Sequence, residues 1–325
     1  MTVFIIRRLM QSAVVVFALT LVVFFSINII GNPVDILIDP ECDQECYRKA
    51  MENFGLDRPI HEQYFVFLEN AVQGDFGDSF LNKIPATELI VERLPASLEL
   101  AIFAMLITLV IGIPAGMWSG LRPESPSGKL IMGGSIVGFS LPGFWVGLML
   151  IIIFSVELDL LPSTGRGETV EVLGIRISLL TLNGLSHLVL PAITLSLYHT
   201  ALIMRLTRAG VREVVLVDFI KFAHAKGLAA RRVVFVHVLK NILIPVVTVL
   251  GLEFGGLLAY GVVTETIFAW PGMGKLLIDS INILDRPVVV AYVMFIVLLF
   301  ITINLLVDIL YSVLDPRVRI EGMGK

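Results

Sequence analysis

Long runs of apolar residues without charge alternate with short polar segments along the chain. A helix needs about 20 such residues to cross the roughly 30 Å hydrocarbon core of a bilayer. Continuous apolar runs, rather than alternating polar and apolar residues, predict membrane helices and not barrel strands. Six spans are predicted, at residues 9–34, 100–121, 130–156, 177–204, 242–264 and 287–307.

The limits of three runs are informative. The first is longer than the apolar region of a signal peptide and lacks a small-residue cleavage site, so it is interpreted as an uncleaved span. The fourth is expected to start near Ser186, because "TLNG" indicates a turn before it. The sixth could extend to Val313.

Composition agrees with this pattern. Of 325 residues, 56% are hydrophobic and only 16% are charged, whereas about 25% are charged in soluble domains. The net charge of -4 decides little, and nothing supports nucleic-acid binding. Cys42 and Cys46 find no further ligands for a zinc site, and both a local disulfide and two free thiols stay open.

The distribution of charge predicts on which side of the membrane each polar segment lies. Basic residues gather at the N-terminus (Arg7, Arg8), near Arg122, at residues 205–240 and in the tail, whereas residues 31–96 hold thirteen acidic and five basic residues. The positive-inside rule therefore places both termini in the cytoplasm. Residues 31–96 would form an extracytoplasmic insertion of short amphipathic helices between the first two spans; a loosely ordered loop is the alternative.

Candidate polar residues inside the spans are few. Glu253 lies about 17 Å into the fifth span, where a carboxylate should face a polar cavity or a partner. With Asn304 and Asp308 of the sixth span, it is a candidate for a translocation path. His187 and His199 are interpreted as interfacial or packing residues. The chain lacks the motifs of a serine hydrolase, a zinc protease or a phosphate-binding loop, which argues against an enzyme with its own ATPase site.

Glycines recur four residues apart in the spans, as at Gly112, Gly116 and Gly120. Such stripes let helix backbones approach closely. They could pack the bundle internally or form a seam with a second membrane subunit, and the sequence does not distinguish the two.

The stretch "DFIKFAHAKGLAARRVVFVHVLKN", residues 218–241, is basic and helix-forming. A helical projection places Phe219, Phe222 and Ala223 on one face, and Gly227 can form a corner between two helices because glycine adopts positive φ. The resulting cytoplasmic elbow would bind either anionic lipid headgroups or a groove of a cytoplasmic partner. The small residues of this elbow favour a groove of a cytoplasmic partner over lipid headgroups.

Matches along nearly the whole chain identify a family. The spacing of Ala223 and Gly227 resembles the coupling loop of binding-protein-dependent ABC importers, in their dipeptide/oligopeptide permease branch. Lys221 and Phe222 depart from the Glu-Ala that opens this loop in the wider superfamily. The similarity includes "FGLDRPIHEQYFVFLENAVQGDFGDSF", "ERLPASLELA", "SLPGFWVGL", "LLPSTGRG", "ETIFAWPGMGKLL" and "DILYSVLDPRVR".

The resemblance implies an all-α integral membrane protein with the type I ABC importer permease fold, in a bacterial or archaeal inner membrane. Residues 1–30 would hold the N-terminus and first span, 31–96 the extracytoplasmic segment, 97–313 the remaining spans with the coupling loop 206–241, and 314–325 the cytoplasmic tail. We expect the loop to contact the ATPases through Asp218, Lys221, Phe222, Ala223, Ala225, Lys226, Gly227, Leu228 and Arg231.

The resemblance also implies partners. A second homologous permease would complete the pathway, two cytoplasmic ATPase subunits would bind ATP and Mg, and an extracytoplasmic binding protein would deliver di- or oligopeptides. Nickel, glutathione or another small solute is the alternative cargo. A stand-alone secondary transporter would need more ionisable residues in its spans than Glu253, and a non-transporting scaffold is the remaining rival.

Overall fold

A computed structural model describes residues 2–30, 43–53 and 57–314. Cys42 and the tail after residue 314 lie outside the described residues. The chain separates into two compact units, one of residues 1–94 with 272–301 and one of residues 95–271 with 302–325.

The described residues form thirteen α-helices and one two-stranded antiparallel sheet. In chain order these elements are α1 (Thr2–Ile30), α2 (Gln44–Asn53), α3 (Ile60–Val72), α4 (Ala86–Ile107), α5 (Ile113–Leu121), α6 (Pro126–Ser140), α7 (Gly143–Leu150), β1 (Val170–Val172), β2 (Ile175–Ile177), α8 (Leu182–Val215), α9 (Asp218–Ala225), α10 (Ala230–Arg232), α11 (Leu239–Ile267), α12 (Met273–Asn282) and α13 (Arg286–Leu314). Three π-helical turns, Thr108–Gly112, Ile151–Glu157 and Val233–Val238, continue α4 into α5, extend α7, and join α10 to α11.

Four helices have the length and apolar composition of a membrane span: Ala86–Leu121, Leu182–Val215, Ala230–Ile267 and Arg286–Ile309. A fifth span arises if the bent pair α6 and α7 is counted once. The apolar part of α1, Met10–Ser26, is shorter, and α1 would be the sixth. The predicted helical membrane architecture is therefore present in the described residues.

The third predicted span is a bent pair of helices rather than one straight helix. Helix α6 ends at Ser140, and the chain bends by 104° before α7 and its π-helical continuation. Leu141 and Pro142 are both extended, with ψ of 132° and 130°. Proline disfavours helical geometry at the residue before it, which explains the break.

The fourth span starts earlier than predicted. Helix α8 begins at Leu182 rather than near Ser186, because the Thr181 side chain caps it by accepting a hydrogen bond from the Gly184 N–H at 2.8 Å. Just before it lies the hairpin β1–β2, which the apolar pattern did not indicate. Helix α8 also continues to Val215, so the first ten residues of the predicted coupling loop are helical.

Unit 1 has its own apolar cluster. Val23 of α1 packs with Val290 and Met294 of α13, and Phe67 of α3 borders them. The buried Asp285 accepts hydrogen bonds from the Ser79 hydroxyl at 2.5 Å and the Phe80 N–H at 3.1 Å. The "GDFGDSF" segment is thereby tied to the start of α13. Cys46 of α2 is disulfide-bonded.

Unit 2 is built around α8, against which the glycine stripe of the second span packs. A Cβ atom on Gly116 would lie 2.6 Å from both the Met204 carbonyl oxygen and Thr207 Cβ, and one on Gly120 would lie 2.7 Å from Val211 Cβ. This stripe therefore packs internally. Gly134 and Gly143, by contrast, have no other atom within 4 Å of such a Cβ.

Candidate functional site

The elbow, defined here as residues 216–232, turns at Gly227. The Gly227 N–H donates to the His224 carbonyl at 2.9 Å, and the Leu228 N–H donates to the Ala223 carbonyl at 3.3 Å. Gly227 has φ of +74°, in the left-handed region. These features define a Schellman cap, which ends α9 and confirms the predicted corner.

The inner face of the elbow is fixed to the helix ends of unit 2. Ile220 and Ala223 of α9 are buried in a cluster with Met117 and Val211, and Leu228 packs against it. Ala223 is buried whereas Phe219 and Phe222 are exposed, so the predicted apolar ridge does not include Ala223. Both phenylalanines lie on the exposed side of an amphipathic helix, and Ala223 anchors that helix.

The outer face of the elbow combines aromatic and basic side chains. Phe222 is 60% exposed, and the Lys226 ammonium lies 4.6 Å from its ring centroid. Lys221 pairs with Asp218 at 2.8 Å, but both side chains are well exposed, so this pair contributes little to stability. Ala225 is exposed beside them. The elbow therefore presents an apolar knob with positive charge at its edge.

A shallow hollow lies directly after the turn. Its lining comprises Ala229, Arg231, Arg232, Phe235 and Val236. Arg231 is exposed there, and its contact with an ATPase stays a prediction. Apolar side chains and two exposed arginines line this hollow together, which favours a partner surface that carries carboxylates.

Glu253 has a partner inside the same unit. Its Oε2 lies 3.3 Å from His199 Nε2, across α11 and α8, and its side chain is 28% exposed. The interpretation of His199 as an end-of-span packing residue was incomplete, because it lies in the middle of α8 and is 5% exposed. The two residues are far apart in sequence, so spacing could not reveal the pair.

Asn304 and Asp308 lie on the part of α13 that belongs to unit 2. The Asn304 Oδ1 atom is buried without a hydrogen-bond partner among the described residues. Between them, Val307 contacts Gly251 of α11 so closely that a Cβ atom there would clash. The role of Asn304 and Asp308 in a translocation path stays a prediction.

Sequence reasoning missed a buried ion pair that shapes the loop before α8. Glu99 Oε2 accepts hydrogen bonds from Arg166 Nε at 3.0 Å and Nη2 at 2.7 Å. Glu99 Oε1 accepts the backbone N–H groups of Ser178 and Leu179, each at 2.7 Å. Glu99 lies in the motif "ERLPASLELA" and Arg166 in "LLPSTGRG", but the sequence did not indicate that the two residues pair.

The sequence matches a known family over most of its length. The family described as "Binding-protein-dependent transport system inner membrane component" matches residues 112–320, and its N-terminal companion matches residues 1–101. The chain belongs to this family of permeases.

Named relatives match the permease over nearly its whole length. It is 39% identical over 330 residues to the di/tripeptide transport system permease protein DppB of Pseudomonas aeruginosa, covering 97% of this chain and 98% of the relative. It is 35% identical to the glutathione transport system permease protein GsiC of Escherichia coli, with 97% and 98% covered. These similarities confirm the predicted permease family and its peptide branch.

A solved structure shares the fold of the permease. The inward-facing MetNI methionine ABC transporter superposes with a TM-score of 0.52 at 16% identity, covering 70% of this chain and 96% of the matched chain. The predicted ABC importer permease fold is thereby confirmed. The permease is a component of a transporter that works as a complex in a membrane.

Proposed function

We propose that this permease forms half of the translocation pathway of an importer for di- or oligopeptides and couples that pathway to cytoplasmic ATPases. The observation that carries the proposal is the elbow: an exposed aromatic and basic knob, rigidly seated on the ends of the unit 2 helices. Relatives named for peptide and glutathione transport support the solute class. Nickel or another small solute is the alternative.

The elbow suits a mechanical contact with a soluble partner. Ile220 and Ala223 of α9 pack against α5, α8 and the start of α11. Because protein interiors are close-packed, a displacement of α9 would move these membrane helices with it. Phe222 and Lys226 face away from this cluster, where an ATPase groove with apolar walls and acidic edges would receive them. Gly227 adopts its positive φ without strain, and a side chain there would project into open space on the proposed docking surface, since nothing lies within 4 Å of a Cβ position.

The proposal includes the remaining partners and ligands. A second homologous permease would cover the exposed faces of the spans, including Gly134 and Gly143. Two ATPase subunits would bind ATP and Mg, since this chain carries no phosphate-binding motif of its own. An extracytoplasmic binding protein would deliver the solute, with both permease termini in the cytoplasm of a bacterial or archaeal cell.

Substitution of Gly227 tests the coupling role. In the reconstituted complex, Gly227→Trp should abolish ATP-driven dipeptide uptake while the chain still inserts, because the indole blocks seating of the elbow. Gly227→Asn should retain most of the uptake, since asparagine tolerates the left-handed conformation.

Gly74 provides a matched control for backbone strain. It has φ of +76°, caps α3 with the same pair of hydrogen bonds, and has no other atom within 4 Å of its Cβ position. Gly74→Trp should therefore leave the ATPase subunits bound and ATP hydrolysis coupled to uptake. Normal uptake by Gly227→Trp would contradict the coupling role of the elbow.

A further inference from the structure

His199 of α8 and Glu253 of α11 form a close polar contact. His199 Nδ1 lies 3.1 Å from the Leu195 carbonyl oxygen, which can only accept, so Nδ1 carries a hydrogen. Nε2 faces Glu253 Oε2 at 3.3 Å. A hydrogen on either of these two atoms would make the contact a hydrogen bond, between an imidazolium and a carboxylate or between a neutral imidazole and a carboxylic acid. In both, the pair carries no net charge.

Neutrality explains how the pair resides among apolar helices. A lone carboxylate at the centre of a membrane helix is costly, and a neutral pair with His199 lowers that cost. His199 is enclosed, but the Glu253 side chain is 28% exposed. The carboxylate is therefore reachable from outside the helix bundle of unit 2, whereas the imidazole lies behind it.

The uncovered face of α11 provides the surroundings of that carboxylate. Leu252 and Tyr260 on this face are 45% and 77% exposed, and Val263 is 53% exposed. Gly256, one turn from Glu253, contributes no side chain to the face. The result is a carboxylate beside an apolar and aromatic strip, a combination that suits a ligand with a cationic end and an apolar body.

We propose that Glu253 is a binding point inside the membrane for the α-ammonium group of the transported peptide, and that His199 is its positioning residue. This rests on the proposed function. When the ammonium binds, a proton held between Glu253 and His199 would leave to water, so that carboxylate, neutral imidazole and ammonium together carry no net charge. The apolar strip on α11 would contact the peptide side chains without selecting among them.

The test measures equilibrium binding of a radiolabelled alanyl-phenylalanine dipeptide to the full membrane complex in nanodiscs, without binding protein or nucleotide. Wild type should bind the free dipeptide at least about tenfold more tightly than its N-acetylated analogue, the fold-change of one ionic contact. Glu253→Gln should remove this preference, and Glu253→Asp should restore part of it. Glu171→Gln, on the exposed strand β1, should leave it unchanged.

The outcomes separate the binding point from the transport function. Equal affinity of wild type for the two peptides, no saturable dipeptide binding, or an unaltered preference in Glu253→Gln would each overturn the inference. Co-purification of all subunits shows that each variant assembles. Failure of the wild-type complex with binding protein to take up dipeptide on ATP addition would instead refute the proposed function.

Discussion

At the scale of single residues, Glu99 shows how one carboxylate orders a distant segment. It receives two side-chain and two backbone hydrogen bonds, and Arg166 also donates to the Arg176 carbonyl at 2.6 Å. Glu99 and Arg166 side chains are only 5% and 12% exposed. Because both charges are withdrawn from water, each depends on the other for compensation.

Removal of either partner should therefore destabilise the protein strongly. Glu99→Ala is expected to lower the free energy of unfolding by roughly 3–5 kcal/mol, the usual cost of leaving one buried charge unpaired. Unfolding by denaturing detergent in mixed micelles measures this loss. Asp279→Ala is the control: it breaks an exposed pair with Lys275, for which a loss of about 1 kcal/mol or less is expected.

The double variant Glu99→Ala/Arg166→Ala sharpens this experiment. Its loss should be no larger than that of Glu99→Ala, since the second substitution removes the uncompensated charge. Additive losses would show that the two residues do not act as a pair.

Residue identity was easier to predict than residue pairing. Glu253 stood out because it interrupts an apolar run, and Gly227 because it lies between two helix-forming segments. Their partners could not be predicted, since His199 and Glu253 meet only when α8 and α11 pack. Ala223 was grouped with the exposed phenylalanines because the sequence alone does not show that tertiary contacts bury it together with Ile220.

At the scale of elements, proline alone did not reveal where helices end. Pro95, Pro191 and Pro245 lie inside α4, α8 and α11, whereas Pro142 separates α6 from α7. Membrane helices tolerate proline when neighbouring groups satisfy the freed carbonyls. At Pro142 the extended residue Leu141 precedes it and a glycine follows, so the chain leaves the helix there. The presence of helices could be predicted from the length of the apolar runs, but the break at Pro142 could not.

Glycine substitutions should distinguish internal packing from a subunit seam. Gly116→Ala introduces a Cβ atom 2.6 Å from the Met204 carbonyl oxygen and should destabilise the isolated chain by about 1–3 kcal/mol. Gly134→Ala meets no atom within 4 Å and should leave that stability unchanged. Detergent unfolding of the two variants provides the comparison.

Assembly provides the second half of this test. If α6 packs against another permease, Gly134→Ala should reduce recovery of that subunit in a pull-down, whereas a full yield would exclude Gly134 from the seam. Equal stability of both variants would contradict the close approach of α5 and α8.

At the scale of the whole molecule, the predicted orientation determines which surfaces meet which partners. The hairpin β1–β2 and the elbow precede and follow the same helix, α8. A single membrane crossing by α8 puts them on opposite sides. The charge bias predicts that the elbow lies in the cytoplasm, and we therefore expect the hairpin on the outside.

Thiol labelling checks this orientation. In a Cys42→Ser/Cys46→Ser background, Leu173→Cys at the 99% exposed hairpin tip should react with a membrane-impermeant maleimide on intact cells. Phe222→Cys, 60% exposed on α9, should react only after the membrane is permeabilised. The reverse pattern would invert the topology and remove the elbow from any cytoplasmic partner.

The length of α8 has a mechanical consequence. Its 34 residues extend about 51 Å at 1.5 Å per residue, roughly 20 Å more than the hydrocarbon core requires. Gly116 and Gly120 hold this rod against α5, with Met204 and Val211 as the points of contact. A rigid rod that is clamped along one side and loaded at its end acts as a lever. A small push on the elbow would therefore tilt the segment that carries His199, far from where the force is applied.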